Sequence, residues 1–438
     1  MGGTTELPTM IKTRRRELWL AKAAVLVLLF VCASVFAYEY DNPGLGQKPV
    51  EAHPQDFKPL GIRAGAFMLH PGIELAGEWT DNAFYSYDNQ QSDFIYHLRP
   101  YFTAQSTWSR HSLTVRLAAD VARYRDNGFR DYEDYFLNIG GRLDVRSRTT
   151  LNYKLDYLDL HESLNNRSAE QGIVPTRYSM TGGGLGFDNQ FNRLGIGMQY
   201  YHSIYDFKNS LRPDGTVIDN QDRNRTDDSL MLRLGYQFKV DMQAFGMATW
   251  HQVDYKQDYD RNGYQRNNDG YSLGGGLRFG ITGVLTGDLS VNYHDRSYDD
   301  PRLPSTTGWG GGAGLTWLPT QLTTVRAAIS TNVQETTYQY ASGYLGTLYA
   351  LRVDHELLRD LQINARVSYR DNKYTLLPDA PTDARSRDKY WSAGVGATYF
   401  INRSIYLNAS YSFSTLDSNV PMDGYDVNRV WLVLGLEK

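Results

Sequence analysis

The sequence predicts an all-β protein, a single transmembrane antiparallel up-and-down β-barrel of about 18 strands with both termini on the periplasmic side. Three observations lead there. No run of 18 or more apolar residues follows the N-terminal region, which excludes a bundle of membrane-spanning helices. From Gly61 onward apolar and polar residues alternate with a period of two, as in strands whose faces meet different environments. The connections between these strands alternate between short and long. In a membrane only a closed sheet satisfies all three, because hydrocarbon offers no partner to an open strand edge. Composition agrees: 33 tyrosines, 40 glycines and a mean hydropathy of -0.50 suit strands that are apolar on one side and polar on the other.

At the N-terminus, Arg14, Arg15, Arg16 and Lys22 precede an apolar stretch from Ala23 to Phe36 that ends Val35-Phe36-Ala37. This is the pattern of a secretory signal peptide over residues 1–37, with cleavage expected after Ala37. Roughly 14 apolar residues are too few for a membrane anchor, which takes about 20. Glu17 after the arginines argues against a twin-arginine signal. The one cysteine, Cys32, lies inside the signal, so the processed chain is expected to carry no thiol and no disulfide. Residues 38–60 contain Asn42-Pro43-Gly44, Pro49, Pro54 and Pro59 without periodicity and read as a flexible periplasmic segment, with the barrel over 61–438. A net charge of -4 leaves no nucleic-acid footprint.

Two strands illustrate the alternation. Leu361, Ile363, Ala365, Val367 and Tyr369 alternate with Gln362, Asn364, Arg366, Ser368 and Arg370. Leu230, Leu232, Leu234, Tyr236 and Phe238 alternate with Arg233, Gly235, Gln237 and Lys239 on the other face. Tight turns are expected near Ser109-Arg110, Ser147-Arg148, Phe191-Asn192, Asp241, Gly283, Pro319, Arg359-Asp360 and Asn402-Arg403. Long polar loops are expected at 81–91, 163–175, 208–225, 258–268, 376–386 and 418–424, with shorter ones at Asn127, Pro301 and Ser342. A soluble propeller would show shorter strands and a blade motif every 40 to 45 residues or so, and none recurs. Trp79, Phe94, Tyr96, Trp108, Tyr157, Trp391 and Tyr411 near strand ends suit interfacial girdles or cross-strand packing.

With the apolar face toward lipid, the opposite face lines the lumen. Its basic members are Arg99, Arg116, Arg142, Arg146, Lys154, Arg233, Lys239, Arg278, Arg326, Arg352, Arg366 and Arg370. The acidic members are Glu74, Glu78, Asp120, Asp144, Asp156, Asp288 and Asp354. The basic excess would favour anionic solutes, including carboxylated or phosphorylated sugars. Pairing across strands into a hydrated wall is the competing reading for any single residue. Asp258, Asp260, Asn262 and Asp269 match the start of a calcium loop, but helices should flank such a loop and strands flank this one. A polar turn explains the same residues, and no metal is expected. His97, His111, His202, His251, His294 and His355 are scattered over different strands, and neither a nucleophile elbow nor H-E-x-x-H occurs. Neither an enzyme nor a cofactor is expected.

Several stretches resemble the outer-membrane β-barrel porin 2 family, which includes EpsL-like exopolysaccharide export barrels. They are Asp214 to Asn220 (DGTVIDN), Asp260 to Tyr271 (DRNGYQRNNDGY), Asp300 to Leu303 (DPRL), Ser342 to Leu345 (SGYL), Val353 to Arg359 (VDHELLR) and Asp417 to Pro421 (DSNVP). The resemblance covers Gly61 to Val433. It implies an outer-membrane barrel working beside a polysaccharide export system, with periplasmic export proteins and a polysaccharide as partners besides lipid and the barrel-insertion machinery. A diffusion porin for small anionic solutes is the alternative from barrel size, and a structural or adhesive surface barrel the alternative from the acidic loops. One departure is the end of the chain, Leu434-Gly435-Leu436-Glu437-Lys438, which lacks the final aromatic residue common in such strands. Val430, Leu432, Leu434 and Leu436 still alternate as a closing strand should.

Overall fold

The computed structural model describes residues 55–438 except 168 and 282. The expected signal peptide, its cleavage after Ala37 and the segment up to residue 54 lie outside the described residues. The strands are β1 (Ile62–Ala64), β2 (Phe67–Thr80), β3 (Asp93–Ser106), β4 (Ser112–Tyr124), β5 (Tyr132–Arg146), β6 (Thr149–His161), β7 (Arg177–Phe191), β8 (Leu194–Phe207), β9 (Ser210–Leu211), β10 (Val217–Ile218), β11 (Arg225–Lys239), β12 (Met242–Tyr255), β13 (Asn268–Ile281), β14 (Leu285–Tyr298), β15 (Thr306–Thr320), β16 (Thr323–Glu335), β17 (Ala341–Leu358), β18 (Leu361–Leu376), β19 (Arg387–Asn402), β20 (Ile405–Ser418) and β21 (Tyr425–Glu437). Each of β2 to β8 and β11 to β21 pairs antiparallel with its neighbours, β8 joins β11, and β21 returns to β2. The result is a closed ring of 18 strands, which removes every long edge.

The closing seam runs from Gly72 opposite Glu437 to Thr80 opposite Arg429. Below it β2 extends past the end of β21, and β1 covers that stretch by pairing Ile62 with Leu69 and Ala64 with Phe67. The two-residue connection between them begins at Gly65, whose φ of +59° glycine adopts without steric cost. β9 and β10 form a small separate hairpin inside the connection from β8 to β11.

At one end of the ring the connections are short, for instance 147–148, 192–193, 240–241 and 403–404. Asn192, Asp241 and Gly283 there take positive φ, the backbone that tight hairpins demand. β-bulges recur just inside these turns, between Asp144 and Arg146, Gln237 and Lys239, and Phe400 and Asn402. The turn expected at Pro319 falls two residues later, at 321–322, because a further bulge lets β15 run on to Thr320. Ser342, expected in a loop, lies in β17: the connection before it is only 336–340, and Ser342 is held by the Pro304 carbonyl at 2.8 Å. The chain before β1 is tied to the short-turn end, with Phe57 stacked on Phe400 at 5.5 Å and Arg359 bonded to Asp56 at 3.0 Å.

Among the described residues there is no central apolar core. Large apolar side chains instead stand outward, among them Leu185, Leu234 and Trp309 at 69%, 63% and 71% exposure. Such a surface is stable only against hydrocarbon. Among the described residues no helix is long and apolar enough to cross a membrane. The inner faces are mainly polar or small, with Phe245 and Trp431 among the exceptions, and glycine is required where neighbouring strands approach closely. A Cβ at Gly276 would stand 2.0 Å from the Leu289 carbonyl oxygen.

Candidate functional site, the inner wall and the mouth

Strand register sorts the inner wall into sectors of different character. Where β2, β3, β4 and β21 meet, charges are buried and paired. Asp120, at 2% exposure, forms an ion pair with Arg99 Nε at 3.2 Å and meets His97 Nδ1 at 2.9 Å. His97 Nε2 faces Glu78 at 3.4 Å, and Glu78 in turn holds Arg429 Nε at 3.1 Å. Trp431 floors this cluster, with the Arg99 guanidinium 4.8 Å from its ring. Nearby, Tyr406 donates to Glu74 at 2.6 Å and Tyr101 to Glu437 at 2.8 Å.

The next sector, on β4 to β8, is balanced by short ion pairs. Arg142 meets Asp144 at 2.9 Å and Lys154 meets Asp156 at 2.9 Å, while Tyr201 donates to Asp156 at 2.7 Å. Arg116 stands in register with Thr103 and Asn138 on the neighbouring strands. On β11 to β14, Arg233 lies 3.7 Å from the Phe245 ring centroid, and Arg278 is opposite Asp288. Lys239 sits apart from these, exposed at the bulge that ends β11.

The sector on β16 to β18 is different. Arg326 is directly opposite Arg352, and Arg352 directly opposite Arg366. Arg370 follows two inward positions further along β18, past Ser368. Asp354 serves the first two, bonding Arg326 at 2.7 Å and Arg352 at 2.9 Å. Like charges side by side on one face of a sheet are unfavourable, so the row is not there for stability. Beside it the inner faces of β18 to β20 carry Ser368, Ser392, Ser410, Ser412 and Ser414, a smooth polar wall.

At the long-loop end the connections are bound to one another. The described residues of 162–176, between β6 and β7, form a strap that reaches across to the β20–β21 connection, five strands round the ring. Arg167 donates to the Tyr85 carbonyl at 2.7 Å and pairs with Asp423 at 3.7 Å. Leu164 packs on the cluster of Tyr85, Leu416, Tyr425 and Val427. On its other side Glu170 accepts from Arg212 at 2.6 Å and Arg261 at 3.1 Å, and Glu162 takes a two-pronged pair from Arg223 at 2.6 and 3.0 Å. Arg130 donates to the carbonyls of Gly172 at 3.0 Å and Ile173 at 2.6 Å. The acidic motif at 258–269 belongs to this network. Asp260 bonds Arg266 at 2.8 Å and caps the turn through the Asn262 and Tyr264 amides, whereas Asp269 belongs to β13. Among the described residues no group of three or more His, Cys, Asp or Glu side chains converges as metal ligands would.

Burial alone would raise the Asp222 carboxyl, but hydrogen bonds and charge from Arg261 outweigh it and hold the group below the ordinary carboxylate range. The hydrogen bond from Arg302 lowers Asp300 strongly in the same way. Carboxyls lowered on folding stabilise the loops above their unfolded value of about 4, and that support is lost as pH falls through the lower native values. Amide protection of the connection 208–224, measured by hydrogen exchange corrected for its intrinsic pH dependence, should therefore persist to about pH 4 and be lost below it. Loss already near pH 6 would contradict this assignment.

Inner-wall residues that sequence reasoning passed over include Arg429, Glu437 and Asp188. The signal was present: Arg429 alternates with Val430 and Leu432 in the pattern used for the other strands. The place of His97 between Glu78 and Asp120 depends on pairing between strands that sequence does not display.

The likeness to solved barrels is broad and shallow. A BenF-like porin from Pseudomonas fluorescens Pf-5 superposes with a TM-score of 0.44 at 12% identity, covering 84% of this chain and 99% of the other. OccK2 (OpdF) of Pseudomonas aeruginosa gives 0.44 at 12%, covering 85% and 97%. The siderophore receptor PirA of the same organism gives 0.41 at 6%, covering 84% and 80%. Likeness of this size says nothing about cargo. No curated protein matches the chain. The family model described as "Putative beta-barrel porin 2" matches residues 53–438, from just before β1 to the last residue. The chain belongs to this family and is an outer-membrane β-barrel porin.

Proposed function

We propose that the barrel is an anion-preferring diffusion channel for small solutes. The observation that carries this reading is the row Arg326, Arg352 and Arg366, with Asp354 as the carboxylate placed among them. A concentrated positive field on one wall raises the local concentration of anions and lowers that of cations. The strap over the mouth favours small solutes over a polymer. In planar bilayers under a salt gradient, the purified protein should give a reversal potential displaced toward chloride. A cation preference, or no current at all, would overturn the reading.

Export of an exopolysaccharide is the second reading. One observation favours it: five of the six stretches that carry the family resemblance gather at the long-loop end, where a departing polymer would meet the protein, while Val353 to Arg359 runs into the short turn at 359–360. Asp260 to Tyr271 contributes Arg261 and Arg266 to the loop network, and Ser342 accepts from Arg266 through its carbonyl at 3.2 Å. Export would require the strap to move aside. Unchanged surface polysaccharide after removal of the gene would exclude it.

A further inference from the structure

We infer that the inner wall of β18 to β20, beside the arginine row, is a binding strip for hydroxylated carboxylates, the chemistry of a sugar acid or a uronate unit. The inference rests on the anion-channel reading and adds to it a ligand class. Register places three rows of three residues side by side. The middle row is Arg366, Gly394 and Ser412; one side is Asn364, Gly396 and Ser410, and the other Ser368, Ser392 and Ser414.

The glycines make the strip usable. A Cβ at Gly394 would stand 3.0 Å from Arg366 Nε, so the arginine lies across the β19 backbone because no side chain rises there. At Gly396 a Cβ would crowd Asn364 Nδ2 at 3.1 Å and the Ser410 Cβ at 3.2 Å. Ser392, Ser410 and Ser414 therefore border a shallow floor, into which Ser412 is sunk at 7% exposure. Ser414 donates to Ser392 at 3.0 Å, and a hydroxyl keeps further capacity after making one such bond. Strands about 4.8 Å apart and inward positions about 7 Å apart along each strand give the strip the dimensions of a pyranose ring and its substituents.

The two kinds of group divide the recognition. A guanidinium fork holds a carboxylate by paired, charge-assisted bonds. Serine hydroxyls donate and accept, as adjacent sugar hydroxyls do. The sector on β2 to β4 has a different make-up: its arginines pair with Asp120 and Glu78, and its floor is Trp431 where the strip has serines and glycines. A simple anion filter would need the arginine row but no hydroxyl wall.

The test uses the full-length protein in planar bilayers with three probes of similar ring size: glucuronate, cyclohexanecarboxylate, which keeps the charge without hydroxyls, and glucose, which keeps the hydroxyls without charge. Glucuronate should dwell in the channel about tenfold longer than either. The triple substitution Ser392→Ala, Ser410→Ala and Ser412→Ala should erase that difference while leaving the reversal potential unchanged, with native migration of unheated protein in gels confirming folding. Equal dwell times for glucuronate and cyclohexanecarboxylate in a channel that still prefers anions would overturn the strip and leave the anion reading standing. Loss of anion preference in the unaltered protein would overturn both. An oligouronate held longer than the monomer would identify a polymer as the natural source, and equal residence a free sugar acid; either supports the strip.

Discussion

Replacing Arg326, Arg352 and Arg366 together by glutamine should abolish the anion preference and turn the channel toward cations, with the permeability ratio falling on the order of tenfold. The three positions face one another across β16, β17 and β18, so their fields add. Once they are neutral, Asp354 loses the two arginines it bonds and attracts cations, while Asp120, Asp144 and Asp156 stay matched by bases of their own sectors. Stability should change little, because removing directly opposed like charges recovers a few tenths of a kcal/mol to about 1 kcal/mol, set against the lost partners of Asp354. Two controls separate the row from charge in general. Arg142→Gln should leave selectivity nearly unchanged, since Arg142 is balanced by Asp144 at 2.9 Å. Asp354→Asn should strengthen anion preference by removing the row's own carboxylate. If the triple variant keeps the original reversal potential, the row does not govern permeation.

The second large effect concerns stability. Asp120→Ala should destabilise the barrel by about 3–5 kcal/mol, the usual result of removing one member of a buried charge cluster. Asp120 is almost fully enclosed and holds both His97 and Arg99, so truncation leaves two buried polar groups without their acceptor. The cluster also reaches the mouth, because Arg429 contacts both Glu78 and the Tyr85 hydroxyl, and Tyr85 carries the strap through Arg167. Urea titration, followed by the difference in gel migration between folded and unfolded protein, would measure the loss. Asp120→Asn should cost less, since the amide oxygen can still accept from Arg99. A change under about 1 kcal/mol for the alanine variant would mean that water already satisfies the cluster.

The two sectors differ in what their arginines are for. Arg99 is enclosed and Arg429 half-buried, and both are matched by carboxylates, so they hold the seam between β21, β2 and β3 together. Arg326 is 41% exposed along its side chain and shares its one carboxylate with Arg352. Charge of the second kind is available to a passing solute. In the sequence both kinds look alike, as basic residues at alternating positions.

Much of the barrel follows from short-range pattern. Alternation with a period of two is a local property of extended backbone, so the lipid and lumen faces of β11 or β18 can be read residue by residue. Turn positions such as Asn192 and Asp241 are equally local, because tight hairpins need residues that tolerate positive φ. An even number of strands and the alternation of short and long connections then lead to closure. The shift at Pro319 and the placement of Ser342 in β17 mark where a bulge and a long-range hydrogen bond overrode the local pattern.

What the sequence by itself determined is therefore the barrel, its strand count, and the residues on each face, together with the family those residues belong to. Only the tertiary structure decided how the inward charges are paired and aligned. Pairing of Asp120 with His97 and Arg99, the alignment of Arg326, Arg352 and Arg366, and the strap joining β6–β7 to β20–β21 depend on strand stagger and on contacts between segments up to hundreds of residues apart. Those are set by closure of the whole sheet, and no local periodicity encodes them.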